Sequence, residues 1–160
     1  MGDWRLYYED LAVGEPRRFG QYTVTREEVI DFARRFDPHD FHLSDEAAAK
    51  TLFGRLSASG WHTCAMSMRM MVDRMHQEGI ASLGGTGVDD LRWLFPVYPG
   101  DVLSVEMVLI EKRRSQSRPD RGLIRQRNIV YNQDDKPVLS YVINGMVALR
   151  DPDAQDRPLA

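Results

Sequence analysis

The first half of the chain carries its apolar residues at helical spacing. One run occupies a single helix face, at Val29, Phe32, Ala33 and Phe36. Thr25 precedes this run and Glu28 follows three residues later, which is the pattern of an N-terminal capping box. Pro38 disfavours helix at the residue before it. We therefore predict a helix over residues 26–36, preceded by a weakly indicated strand at residues 17–23.

Two further helices are predicted before the middle of the chain. Residues 45–50 are rich in alanine, begin after a capping Ser44 and are closed by Gly54. A longer helix begins at Gly60, and its predicted apolar stripe consists of Trp61, Cys64, Ala65, Met68, Val72 and Met75. Met66 and Met70 lie off that stripe, so the helix is apolar around most of its circumference. We expect it to be buried on nearly all sides.

The second half changes to the alternating pattern of strands. Residues 91–95 alternate, a turn follows at residues 99–101, and the next strand has an inward set of Leu103, Val105, Met107 and Leu109. Residues 113–122 predict a charged hairpin loop, and residues 124–132 and 138–149 predict two more strands. A flat sheet covers only one side of a helix, so we predict an α+β fold in which a curved antiparallel sheet wraps around the long helix. This architecture is the hot-dog fold.

The length of 160 residues suits one domain, which we place at residues 1–150, with a flexible tail at 151–160. Apolar residues on the outer face of the third predicted strand, Val102, Val108 and Ile110, favour a covering second protomer. We therefore expect a homodimer or a higher homo-oligomer.

The composition and charge limit the classes of molecule that this protein is expected to bind. There are 21 basic and 24 acidic residues, a net charge of −3, and the isoelectric point near 5.8 argues against nucleic acid. The most apolar stretch, residues 138–149, is too short to cross a membrane, and no secretory leader is expected. Cys64 is the single cysteine, which fits a reducing compartment and predicts a cytoplasmic protein. Small molecules and protein partners remain.

Residues 37–42 concentrate chemically active side chains. This segment holds Asp37, His39, Asp40 and His42. Asp37 and His42 are five positions apart across a turn begun by Pro38, so both can reach one water. The alternative is a solvated loop in which His42 caps the next helix or is exposed. His39 and His42 fall short of the three or four protein ligands of a zinc site, so no metal is expected.

Four segments of the chain resemble one family. Residues 37–42 read Asp-Pro-His-Asp-Phe-His and resemble the motif Asp-x-Asn-Pro-x-His. Residues 59–61, Ser-Gly-Trp, correspond to His-Gly-Met at the head of the buried helix. Residues 93–101 resemble a strand and turn ending in Pro-Val-x-x-Gly-Asp, and residues 8–14 resemble the opening segment. Over residues 7–149 the chain is similar to MaoC-like dehydratases, the R-specific enoyl-CoA hydratase group of the hot-dog superfamily.

This resemblance implies a hydro-lyase of fatty acid metabolism that reversibly adds water to a trans-2-enoyl thioester, giving a 3-hydroxyacyl thioester. Asp37 and His42 would hold the catalytic water, and the Gly60 N–H would bind the thioester oxygen. The implied substrate-binding residues are Ser59, Trp61 and His62. The substrate would be a coenzyme A or carrier-protein thioester, without a further cofactor.

Departures from the family pattern keep other functions open. His39 replaces the family asparagine and Asp40 replaces the proline; if Asp40 lay close to Asp37, one carboxyl pKa would rise. These changes are the basis for one alternative, a non-catalytic subunit that binds acyl thioesters, although retention of both Asp37 and His42 argues against it. A hot-dog thioesterase is a further alternative, although the acids of the long helix, Asp73 and Glu78, come late in it.

Several residues also have purely structural interpretations. Gly60 permits tight packing whether or not its amide binds substrate. A tryptophan on an apolar stripe, as Trp61 is predicted to be, more often belongs to a core than to a pocket. The arginines of the predicted hairpin suit the phosphates of coenzyme A, but a charged loop is more often simply solvated; they are Arg113, Arg114, Arg118 and Arg121.

Overall fold

The computed structural model describes residues 3–153; the rest of the predicted tail, residues 154–160, lies outside them. The helices and strands follow the predicted order. They are β1 (Pro16–Thr23), α1 (Arg26–Phe36), α2 (Asp45–Ala48), α3 (Gly60–Glu78), β2 (Ser82–Trp93), β3 (Val102–Arg114), β4 (Arg121–Tyr131) and β5 (Pro137–Ala148). Single 3₁₀ turns at Tyr8–Asp10 and Asp40–His42 precede β1 and α2.

The strands form one antiparallel sheet in the order β1-β3-β4-β5-β2, which leaves β1 and β2 at its edges. Each of the four strand pairs contains a register shift. Such irregularities bend strands and increase their twist, so the sheet curves around α3. At Gly20 of β1, where φ is 81°, a Cβ would lie 2.6 Å from Sδ of Met70, so this strand approaches α3 only with a glycine there. The predicted α+β hot-dog architecture is confirmed.

The core lies between α3 and the concave face of the sheet. Met66, Met70 and Met71 of α3 are buried there, and the strands contribute Leu103, Val105, Val130, Leu139 and Tyr141. Ser67 is also fully buried because its Oγ lies 2.6 Å from the Tyr141 hydroxyl, which satisfies both groups. Each large apolar side chain removed from water stabilises the fold by about 2 kcal/mol.

The predicted buried stripe of α3 was wrong. Trp61 is 60% exposed and Met68 is 44% exposed, whereas the two methionines predicted to lie off the stripe are buried. The buried face contains polar members that have partners, so hydrophobicity alone misplaced it; it consists of His62, Thr63, Met66, Ser67, Met70, Met71 and Arg74. Within one chain α3 is therefore covered on one side rather than on nearly all sides.

Several predicted element boundaries also change. β2 begins at Ser82 and ends at Trp93, so Phe95 lies beyond the strand instead of alternating within it. The early part of β2 was missed because it is rich in glycine, which has low strand propensity. The charged hairpin is shorter than predicted, since β3 continues to Arg114 and β4 begins at Arg121.

Helix α1 begins as its sequence predicts. Thr25 Oγ1 accepts a hydrogen bond from the Glu28 N–H at 3.3 Å, and the Glu28 side chain reaches back to the Thr25 N–H at 3.4 Å. Val29 and Ala33 bury the inner face. The same helix positions Asp37 at its C-terminus, where the next loop begins.

In residues 3–153, no helix has the length and apolar character needed to span a membrane.

Candidate functional site

The loop after α1 places Asp37 beside the head of α3. The Asp37 N–H still donates to the Ala33 carbonyl, so the residue is held as the C-cap of α1. The chain then turns, with the His39 N–H donating to the Asp37 carbonyl and the His42 N–H donating to the His39 carbonyl, each at 2.9 Å. These bonds fix the Asp37 carboxylate and the His42 ring on neighbouring turns.

The two carboxylate oxygens of Asp37 have different neighbours. Oδ2 accepts a hydrogen bond of 2.6 Å from Ser59 Oγ, and Oδ1 lies 2.5 Å from Nδ1 of His39. Burial raises the pKa of the carboxyl, but the Ser59 and His39 hydrogen bonds and the charges of His42 and His39 hold it below its usual 3.8. The increase that a nearby Asp40 would cause at Asp37 is therefore not found, and Asp37 is a carboxylate at neutral pH.

His42 is buried and its ring orientation is fixed. Its Nδ1 lies 2.7 Å from the Ser57 carbonyl oxygen, which can only accept, so Nδ1 carries the hydrogen. The ring also packs edge-on against Phe41 at 4.6 Å and lies 5.8 Å from the ring of Phe53. The alternative of an exposed His42 is therefore wrong, because 5% of the residue is accessible.

The remaining nitrogen of His42 faces Asp37. Nε2 lies 3.6 Å from Oδ2 of Asp37, which is longer than a hydrogen bond. In the neutral ring Nε2 is an acceptor, and so is the carboxylate, so the two atoms do not bond to each other. A water molecule between them can donate one hydrogen to each of these acceptors, and this is the arrangement that activates a water for attack.

The head of α3 contributes free amide groups. Ser59 is the N-cap residue, yet its hydroxyl makes no cap hydrogen bond because it is directed to Asp37. Thr63 donates back to the Ser59 carbonyl, while the preceding amides of Gly60, Trp61 and His62 have no acceptor within residues 3–153. A helix N-terminus with free N–H groups attracts a negatively charged oxygen.

Gly60 is required here by close packing. An added Cβ would lie 2.5 Å from the Trp93 indole ring, so the ring contacts the helix head directly. Trp61 packs edge-on against Trp93 with ring centroids 5.2 Å apart. The core interpretation of Trp61 is wrong because this side chain is largely exposed.

His62 points away from this head and into the α1–α3 contact. It is 6% exposed, and its ring stacks on Phe32 with centroids 4.7 Å apart. Burial lowers the pKa of His62 below the usual 6.5, although the negative charge of Glu28 opposes the change. Nδ1 of His62 and Oγ of Ser57 are buried and make no hydrogen bond.

The arginines of the β3–β4 hairpin do not form one open cluster. Arg121 pairs with Asp120 at 2.8 Å, and Arg114 lies 4.0 Å from Glu9.

Within residues 3–153, no group of three or more histidine, cysteine or acidic side chains is arranged to hold a metal ion.

Sequence reasoning identified Asp37, His42 and Gly60 from short motifs but missed three contacts. The Ser59–Asp37 hydrogen bond joins residues 22 positions apart, and the contact of Trp93 with Gly60 is also long-range. The His39–Asp37 contact spans only two residues across Pro38, so this short separation is the sequence signal that points to it.

Comparisons with known proteins agree with this fold. The crystal structure of a MaoC-like dehydratase from Rhodospirillum rubrum has a TM-score of 0.82 and 39% identity, covering 92% of this chain and 99% of that one. The uncharacterized protein YdeM of Bacillus subtilis is 26% identical over 130 residues, 81% of this chain and 90% of that protein. A 3-hydroxybutyryl-CoA dehydratase of Methylorubrum extorquens is 29% identical over 116 residues, 69% of this chain and 71% of that protein.

The family model described as "MaoC like domain" matches residues 10–130. This range includes the loop that carries Asp37 and His42 and the head of α3. The predicted family resemblance is confirmed, and the chain belongs to the MaoC-like domain family.

Proposed function

We propose that the protein is a hydro-lyase that adds water reversibly to a trans-2-enoyl thioester. One observation carries the proposal: Oδ2 of Asp37 and Nε2 of His42 are two acceptors 3.6 Å apart beside the free amides of α3. One water can donate a hydrogen to each acceptor while its oxygen attacks C3. The name of the Methylorubrum relative, 3-hydroxybutyryl-CoA dehydratase, describes the same chemistry in reverse.

The proton steps follow from the basicity of the two groups. Imidazole is intrinsically more basic than a carboxylate, and the pKa of Asp37 is lowered further, so His42 accepts the proton. The water O–H bond breaks as the C3–O bond forms, and the electron pair of the double bond moves onto the thioester oxygen. The imidazolium then returns its proton to C2, which restores His42 to its neutral form.

The developing oxyanion needs donors, and we assign this role to the Gly60 N–H at the start of α3. The positive end of a 19-residue helix adds to the stabilisation. Loss of one such donor typically costs about 3 kcal/mol of transition-state stabilisation. In this proposal Ser59 orients Asp37, and the exposed ring of Trp61 borders the acyl group. His62 packs between α3 and α1 and does not reach the substrate.

We further propose that the active form is a homodimer or a larger homo-oligomer. β2 is an edge strand with exposed Val88 and Trp93, exposed Leu94 follows it directly, and the exposed Trp61 ring packs against Trp93. An edge strand with such neighbours is a site for pairing with a second copy. Because Trp61 and Trp93 border the helix head, a partner there would enclose the thioester.

The test follows the loss of enoyl-thioester absorbance with trans-2-butenoyl-CoA and a longer enoyl-CoA, with free thiol assayed in parallel. We expect absorbance loss without thiol release, and activity lowered at least about a hundredfold in Asp37→Asn and His42→Ala. His76→Asn, at an exposed position near the end of α3, serves as the matched control with unchanged activity. Thiol release would indicate a thioesterase. No reaction with either substrate would favour a carrier-protein substrate or a non-catalytic binding subunit.

A further inference from the structure

A second histidine contacts the carboxylate of Asp37. Nδ1 of His39 lies 2.5 Å from Oδ1, and because an ionised carboxylate only accepts, Nδ1 carries the hydrogen. The His39 ring also stacks on Phe41 with centroids 5.0 Å apart, which fixes its plane. In contrast to His42, the His39 side chain is 67% exposed. Asp37 therefore lies between a buried imidazole and a solvent-facing one.

The two imidazoles act on opposite oxygens of the same group. His39 holds Oδ1, while Ser59 and His42 face Oδ2. A carboxylate held at one oxygen cannot rotate freely, so the His39 bond keeps Oδ2 directed at the water position. An asparagine at position 39 could donate a hydrogen bond to the same oxygen but could not change its charge.

We propose that His39 is a positioning residue for Asp37: while neutral it directs Oδ2 toward the reacting water, and when positively charged it weakens the Asp37–His42 pair as a proton acceptor. The proposal rests on the hydration reaction proposed above. Its physical basis is competition for one negative charge. The carboxylate stabilises the imidazolium that forms on His42, and a cation on the other oxygen reduces that stabilisation.

The groups around the carboxylate make this competition simple. The charged groups acting on Asp37 are His39 and His42, both on the loop after α1. The α3 side contributes the neutral hydroxyl of Ser59. In the last turn of α1, Arg34 and Arg35 are the cations, and Arg35 lies over the Phe36 ring at 5.3 Å.

The experiment compares wild type, His39→Asn and His39→Ala by kcat/KM for trans-2-butenoyl-CoA hydration between about pH 5.5 and pH 8.5. At the alkaline end His39→Asn keeps a donor and stays within about threefold of wild type, whereas His39→Ala loses the donor and falls about tenfold. As the pH falls, the ratio of wild type to His39→Asn decreases by about threefold or more, because only wild type acquires the extra charge.

A merely structural role gives a different result. Loss of packing or folding lowers activity by the same factor at every pH, so a pH-independent ratio overturns the proposal. So does a His39→Ala variant with wild-type activity. His76→Asn removes an exposed histidine elsewhere, and its ratio to wild type should stay at about one throughout. His39→Gln offers a second donor variant if His39→Asn folds poorly.

A measurement without substrate separates this proposal from the proposed function. Nitrogen-15 spectra of the histidine rings in the unliganded protein should show His39 carrying its hydrogen on Nδ1 at about pH 8, and this state should be lost in Asp37→Ala, which removes the acceptor. A His39 signal that is insensitive to Asp37→Ala overturns the positioning role. If the signal responds but no enoyl thioester is consumed, the contact stands, and it is the hydration reaction, with the catalytic part of this proposal, that is rejected.

Discussion

Ser59 Oγ donates a hydrogen bond of 2.6 Å to Oδ2 of Asp37 and therefore does not cap the helix that begins after it. An N-cap hydroxyl normally stabilises its helix by about 1 kcal/mol. Here that interaction is given up, and the hydroxyl instead stabilises the charged form of Asp37 while the first amides of α3 stay available. The Ser59 side chain thus serves both parts of the proposed site, the Asp37 carboxylate that holds the water and the α3 amides that would bind the oxyanion.

This relationship predicts that Ser59→Ala affects catalysis more than stability. The variant loses a hydrogen bond to a charged oxygen, so kcat/KM should fall roughly tenfold. Ser44 is a matched control because it caps α2, with its Oγ accepting from the Ala47 N–H at 3.1 Å. Ser44→Ala should cost about 1 kcal/mol of unfolding free energy and leave kcat/KM unchanged. Equal activity losses in the two variants would contradict a specific role for Ser59.

A second prediction concerns the pH dependence of stability. Burial lowers the pKa of His62 in the folded protein below its usual 6.5. Between this lowered pKa and the usual value of the unfolded chain, the unfolded chain binds the proton more readily than the folded chain does. Stability is therefore fully present above about pH 6.5 and decreases as the pH falls through this range.

The variant His62→Phe keeps an aromatic ring against Phe32 and cannot titrate. Its unfolding free energy should change less than that of wild type between about pH 7.5 and pH 5, as measured by urea denaturation. His76→Phe, at an exposed position, should keep the wild-type pH dependence. An unchanged slope in His62→Phe would show that other groups cause the acid loss of stability.

Local signals predicted much of the fold. Thr25 and Glu28 are close in sequence, so their capping box was readable, and the alternation of Leu103 and Val105 marked the inner face of β3. The buried face of α3 was not readable, because it depends on distant partners. Ser67 is buried only because Tyr141, 74 residues later, provides a hydrogen-bond partner.

The candidate site likewise combines residues that a local motif predicts with contacts that only the fold creates. Asp37 and His42 belong to one short motif, so the sequence could pair them. The hydrogen on Nδ1 of His42 depends on the Ser57 carbonyl, which the fold brings from another segment. That contact, and with it the acceptor role of Nε2, follows from tertiary structure rather than from residue type.

The contact of Gly60 with Trp93 leads to a third prediction. In Gly60→Ala the new methyl group would overlap the indole at 2.5 Å, so the ring or the helix head must move. We expect a loss of about 1 to 3 kcal/mol in unfolding free energy, together with reduced hydration activity. In a Trp93→Ala background, Gly60→Ala should cost clearly less unfolding free energy than it does in wild type. If it does not, the indole contact is not the reason for the glycine.

The exposed edge strand gives a fourth prediction. Val88 lies in β2 and is 52% exposed, with the open edge of the sheet beside it. If a second copy covers this edge, wild type should have a mass in solution of at least twice the chain mass of 18.4 kDa. Val88→Lys places a charge in the interface and should shift the population toward the single chain. Light scattering behind size-exclusion chromatography measures both.

Val13 provides the control for that experiment because it has almost the same exposure, at 51%, but precedes β1, the strand at the opposite edge of the sheet from β2. Val13→Lys should leave the mass unchanged. The dissociated Val88→Lys protein should also lose hydration activity, since Trp61 and Trp93 at the helix head would lose the partner that encloses the thioester. A fully active single chain would contradict this role of the second copy, and it would show that the residues of one protomer suffice for the reaction.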